Sequence, residues 1–238
     1  MDLCRSLRTL ALALAFGGGL AGVAAAQDLT EIWQDHLKKG ATAYGLAQMD
    51  VAAREIEAAL ALAEQNFPAD DPKMITMWLN MLPLRRAQGR HDEAAAYGEK
   101  AVAAITKLDG AESWQLLSPL VVLGNNYRDG KRYDLADATY QRAIALHDKY
   151  FGDAHPRTVT LLEDRASTLL LAGKTDQALE LWSELVDLWE YSLGPNNVRE
   201  AMSRHAYAEA LRAAGRDREA VTQDDFAAQI QRAWDLGR

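Results

Sequence analysis

The chain has 238 residues, of which 49% are hydrophobic, 25% charged and 8% aromatic, a globular composition with enough apolar material for one or two cored domains. A single cysteine excludes a disulfide-stapled miniprotein. With 34 acidic against 26 basic residues, a formal charge of −8 and no basic block, the chain is poorly suited to gripping a nucleic-acid backbone.

Residues 1–26 read as an address. Arg5 and Arg8 make a positive start, Leu10 to Phe16 an apolar stretch, and Gly17-Gly18-Gly19 a break before the small residues Ala24-Ala25-Ala26. This is the pattern of a secretory signal peptide cleaved after Ala26. The alternative is an uncleaved membrane anchor, because the apolar run from Thr9 to Ala26 approaches spanning length. Cys4 lies in this segment without the Leu-Ala-Gly type box of a lipoprotein, so the mature chain, 27–238, contains no cysteine. Losing Asp2, Arg5 and Arg8, a net +1, it carries −9 instead of −8. An exported chain without thiols must be held by packing alone. The expected location is the periplasm or the exterior of a bacterium, with no membrane span after cleavage.

Turn signals divide the remainder into ten helices: 30–46 and 49–66, 72–88 and 91–108, 114–129 and 133–150, 156–172 and 175–193, 198–214 and 217–235. No segment sustains the alternation of a strand. The pairs repeat with a fixed period. Ala52, Ala94, Ala136, Ala178 and Ala220 are each 42 residues apart, and the same phase holds for Ala59, Ala101, Ala143, Leu185 and Ala227 and for Gly40, Leu82, Gly124, Ala166 and Ala208. Small residues in these columns let two helices approach closely. Gly89, Gly173 and Gly215 stand five residues before the alanine, where a left-handed residue ends the preceding helix, and Gly110, Gly152 and Gly194 recur after the second helix. Pro83 falls inside a first helix, where it is expected to kink or locally unpair the backbone.

These residues resemble the tetratricopeptide repeat in its 42-residue, kinesin-light-chain-like form. The turn motif is carried by Tyr127 to Ala136 and by Leu171 to Ala178, and the link between units by Phe151-Gly152-Asp153-Ala154-His155-Pro156, with Leu193-Gly194-Pro195 a partial copy. The resemblance covers about 30–235, with units at about 30–71, 72–113, 114–155, 156–197 and 198–238. The first unit departs from the family's pattern at Ala47, where glycine is expected, and the last at Asp217 and Asp224, at positions usually aromatic or apolar in that family. Polar departures suit terminal units, one face of which has no neighbour. The resemblance implies an all-α, right-handed α-solenoid whose first helices line a concave groove, and a protein–protein interaction module with no cofactor.

Chemical motifs are weak. Gly173-Lys174-Thr175 lacks the earlier glycine of a phosphate loop, having Thr168 in its place, and follows a helix rather than a strand. His36, His91, His147, His155 and His205 form no His-x-x-x-His pair, so no metal site is expected. Glu163 and Asp164, one unit from His205, are adjacent and so point in different directions, a poor catalytic dyad. No enzyme is expected. Tyr140 and Trp182 share a column that packs inside the repeat, whereas Trp189 and Tyr191, near a helix end, are open either to packing on the next unit or to partial exposure.

The resemblance places Leu37, Lys38, Leu79, Asn80, Val121, Asn125, Arg128, Glu163, Ser167, His205, Glu209 and Arg212 toward the groove. Asn80 and Asn125 are the candidates for hydrogen-bonding the backbone of an extended peptide. Arg86, Arg128 and Arg212 share a column and are candidates for a carboxylate or acidic peptide. The competing account is that each lies in the last turn of a helix, where a cation meets the dipole. The expected partner is a protein or peptide. A self-associating scaffold of an envelope complex is the alternative, with a small-ligand carrier or enzyme third.

Overall fold

The structure, a computed structural model, describes residues 20–69, 71–195 and 197–236. Most of the signal segment, 1–19, lies outside the described residues. Ten α-helices follow one another among them: α1 (Leu20–Gly45), α2 (Met49–Asn66), α3 (Pro72–Ala87), α4 (His91–Asp109), α5 (Leu117–Asp129), α6 (Tyr133–Phe151), α7 (Pro156–Leu171), α8 (Thr175–Leu193), α9 (Val198–Ala213) and α10 (Asp217–Leu236). Helix α1 starts ten residues earlier than expected and runs through the predicted cleavage point at Ala26. The third first-helix opens with a separate 3-10 turn, Trp114–Leu116, before α5. Helix α3 runs through Pro83, which lies inside it.

The chain forms two compact units, the first ending at Leu84 and the second beginning at Arg85. In the first unit α1 packs on α2. A Cβ added to Gly40 would lie 2.5 Å from the Ile56 side chain, so the approach of the two helices requires glycine there. Trp33, 5% exposed, donates its indole N–H to the Met77 sulfur at 3.1 Å and meets the Phe67 ring edge-on at 5.9 Å.

In the second unit each helix packs on the next in sequence, from α4 on α5 to α9 on α10. The periodic columns are fully buried, at Ala52 and Ala59 in the first unit and at Ala94, Ala136, Ala178, Ala220, Ala101, Ala143, Leu185 and Ala227 in the second. The left-handed turn position is kept in every repeat, whatever residue fills it. Gly89, Gly173 and Gly215 have φ of 72°, 75° and 73°, while Ala47 and Lys131 adopt 56° and 59° at the same place, an uncommon conformation for a residue with a Cβ.

A further column emerges from the caps. Asp71, Ser113, His155 and Asn197, again 42 residues apart, each accept a backbone N–H from two or three residues ahead, at 2.8, 3.2, 3.2 and 2.8 Å. They satisfy donors that a helix start leaves unpaired. Asn197 is also buried and donates from Nδ2 to the Trp189 and Gly194 carbonyls.

The last unit is capped by charge. Asp224, in the column of Tyr140 and Trp182, accepts from His205 Nδ1 at 2.9 Å and from Arg212. Val221, in the column where Leu179 is 4% exposed, is 55% exposed. This is the polar termination that the sequence pattern predicts.

Two substitutions separate core from cap. Trp189, 1% exposed, is expected to cost about 3–5 kcal/mol as Trp189→Ala, and Asn197→Ala about 1–2 kcal/mol, both by urea unfolding. A Trp189→Ala loss below about 1 kcal/mol would contradict its place in the core.

Candidate functional site

The site is built on the first helices of the second unit, α5, α7 and α9. Gly124 on α5 allows Tyr140 of α6 to lie against the helix, since a Cβ at Gly124 would sit 2.9 Å from the ring. The Tyr140 side chain is fully buried, and its hydroxyl donates to Asn125 Oδ1 at 2.6 Å. Burial pushes the phenol well above its ordinary range, so it remains a donor. Asn125, half-buried, is thereby fixed with its acceptor oxygen used and its Nδ2 left to donate. The adjacent Asn126 is 1% exposed and does different work, donating to the His91 carbonyl at 2.9 Å and bonding the His91 ring at 3.1 Å.

The three arginines of the shared column meet carboxylates of the chain itself. Arg86 donates to Asp129 at 2.7 Å, Arg128 to Asp164 at 2.6 Å, and Arg212 to Asp224. Arg86 and Arg128 thus tie the end of one first helix to the next first helix, a role that neither the carboxylate-clamp nor the dipole reading anticipates. In the first unit, Asn80 of α3 donates from Nδ2 to the Thr76 carbonyl one turn back at 2.8 Å, leaving Oδ1 as an acceptor.

Glu163 of α7 turns inward. Its Oε1 accepts from the Trp189 indole at 2.7 Å and from the Ser203 hydroxyl. Burial raises its pKa above the ordinary 4.5, and the two hydrogen bonds oppose that shift. Asp164 belongs to Arg128 and His205 to Asp224, so Glu163, Asp164 and His205 are not brought together as an acid–base group. Of the two aromatics left open by the sequence, Trp189 is buried at 1% and Tyr191 stands 82% exposed. Among the described residues, no three histidine, cysteine or carboxylate side chains are placed to hold a metal. No helix there is long and apolar enough to cross a membrane. What this face offers is hydrogen bonding: the Asn125 amide donor, with half-buried Ser167 and exposed Glu209 further along.

Comparison with known proteins agrees with the helical-repeat fold. The tetratricopeptide repeat signature matches residues 73–149, 115–181 and 158–225. A curated relative, "Clustered mitochondria protein homolog" of Meyerozyma guilliermondii, is 27% identical over 126 residues, which is 50% of this chain and 9% of the length of that protein. Among solved structures, the nearly identical TPR-like repeats of a kinesin light chain from Podosopora anserina superpose with a TM-score of 0.75 at 20% identity, over 83% of this chain and 94% of that one. BtubC (BKLC) from P. vanneervenii gives 0.65 at 16% identity over 87% and 92%, and MamA 0.60 at 18% over 85% and 93%. These likenesses place the fold as an all-α solenoid.

The raised Glu163 pKa has a measurable sign. The unfolded glutamate ionises near 4.5 and the native one only at higher pH, so Glu163 lowers stability as pH rises above 4.5. Glu163→Gln, which keeps an acceptor for Trp189 and Ser203, is expected to lose less stability than wild type between pH 4.5 and 7 in denaturant titrations. Parallel pH profiles for the two proteins would show that burial does not raise this carboxyl.

Proposed function

Because the chain belongs to the tetratricopeptide repeat family, whose fold serves protein–protein interaction, we propose that it is an exported interaction module holding an extended segment of a partner protein against its first helices. The observation that carries this reading is Asn125, whose amide is oriented by a buried tyrosine and presents Nδ2 as a fixed donor for a peptide carbonyl. A preorganised donor forms its bond without the entropy cost of ordering the side chain. Asn80 supports the same role in the first unit, with Oδ1 free to accept a peptide N–H.

The paired arginines refine the partner's chemistry. Arg86, Arg128 and Arg212 already meet Asp129, Asp164 and Asp224, so an acidic ligand would have to displace carboxylates in place. Recognition through backbone hydrogen bonds, with shallow side-chain contacts, fits the face better than an anion clamp. Export rests on the sequence of residues 1–26, with Arg5 and Arg8 ahead of the apolar stretch and Ala24-Ala25-Ala26 before Gln27. Cleavage there delivers the repeats to the periplasm or the exterior.

Crosslinking of the tagged protein in its native host, followed by mass spectrometry, is the test. One enriched partner is expected, bound about fivefold more weakly by Asn125→Ala, the loss of about 1 kcal/mol for one hydrogen bond. Tyr140→Phe, which releases the Asn125 amide, is expected to weaken binding in the same direction. Recovery of the protein alone would favour the self-associating scaffold. A partner held equally well by Asn125→Ala would remove the site from these helices. The processed N-terminus is expected at Gln27; an intact segment 1–26 on the purified protein would contradict cleavage.

A further inference from the structure

The second unit contains a cleft of about 480 Å3 between α8, α9 and the turn at Arg216. Its floor is apolar: Leu179 is 4% and Tyr207 8% exposed. Its rim is acidic, because Asp176, Glu180 and Glu184 stand at successive turns of α8, all exposed. None of the three carboxylates has an ion-pair partner among the described residues. The one cation in the lining, Arg216, is engaged by both carboxylate oxygens of Glu219, at 2.7 and 2.6 Å.

The repeat shows what belongs in such a place. The positions one period earlier carry Asp134, Asp137, Arg142, Arg165 and Lys174 where the cleft has Asp176, Leu179, Glu184, Tyr207 and Arg216. There the chain fills the space with its own cations: Arg165 donates to Asp137 at 2.6 Å and Lys174 to Asp134 at 2.7 Å. One period on, Tyr207 and Leu179 stand where Arg165 and Asp137 pair, Glu180 and Glu184 stand where Ala138 and Arg142 do, and Arg216, in the place of Lys174, is held by Glu219. Of the lining residues α9 contributes Tyr207 and no cation, and Glu180 and Glu184 are acids that the preceding repeat lacks at these positions.

We propose that this cleft is a second docking surface, which seats an arginine side chain from a basic segment of a partner protein. The arginine stem covers Leu179 and Tyr207, the guanidinium lies over the tyrosine ring, and Asp176, Glu180 and Glu184 neutralise it. Arginine fits better than lysine, since its planar group stacks on the ring while its several donors reach more than one carboxylate. The surface lies on α8 and α9 and does not depend on Asn125 or on the reading of the first-helix face.

The probe is a labelled, end-capped hexa-arginine peptide, followed by fluorescence anisotropy at low salt with the full processed chain. Glu180→Gln with Glu184→Gln is expected to weaken binding at least tenfold. Asp109→Asn with Asp148→Asn, the same charge change elsewhere, and Asn125→Ala are expected to leave it unchanged. Tyr207→Arg with Leu179→Asp, which rebuilds the pair of the preceding repeat, is expected to abolish binding while far-UV circular dichroism stays that of the wild type. Absence of binding, equal binding by the Glu180→Gln, Glu184→Gln protein, loss in the charge-matched control, or equal affinity for hexa-lysine would overturn the proposal.

Discussion

The close approach of paired helices at Gly40 and Gly124 is the constraint on which the rest depends. Five alanines at one spacing are fully buried, and Gly40 and Gly124 lie against Ile56 and Tyr140 of the following helix. At Gly124 one extra carbon would reach the Tyr140 ring at 2.9 Å, so that position has no room for a larger side chain. Larger residues such as Trp182, Leu185 and Trp189 fill the core shared by α7, α8 and α9. The same closeness brings the Tyr140 hydroxyl to Asn125 and so orients the amide of the candidate site. Packing and the orientation of Asn125 are consequences of one steric column.

Charge does a different job. Each exposed pair, such as Lys174 with Asp134 or Arg132 with Asp92, contributes little to stability because water screens it. Their value lies in register: the partners are 40 residues apart in both pairs, which joins the same step of the repeat to the one before. Arg86 with Asp129 and Arg128 with Asp164 do this on the face of the first helices. In a chain of formal charge −8 these arginines are engaged internally, whereas Asp176, Glu180 and Glu184 have no ion-pair partner among the described residues.

Much of the fold was legible because a period is a strong signal. The 42-residue spacing gave ten helices, the alanine columns and the polar last unit, and Ala47 stood out as the residue forced into a glycine's conformation. The cap column was equally periodic but left no mark of identity, since Asp71, Ser113, His155 and Asn197 share a function and not a residue type. The candidate site was legible only in part. Asn125 and Asn126 are neighbours, and only the approach of Tyr140 on one side and His91 on the other separates the half-exposed amide from the buried one. The arginine column was visible, but its partners were not, because Asp129, Asp164 and Asp224 occupy three different columns and leave no repeating mark. Trp189 is buried at the end of a helix because Glu163 receives its N–H, a pairing across 26 residues that no local pattern reports.

The face of the first helices as the binding surface is the central claim, and site-specific photocrosslinking in the native host tests it whatever the partner's identity. A photoreactive residue at Ser167, on α7, is predicted to give a discrete adduct with a second protein, while one at exposed Ala145, on α6, gives none. An adduct from Ala145 with none from Ser167 would place the partner elsewhere and contradict the account.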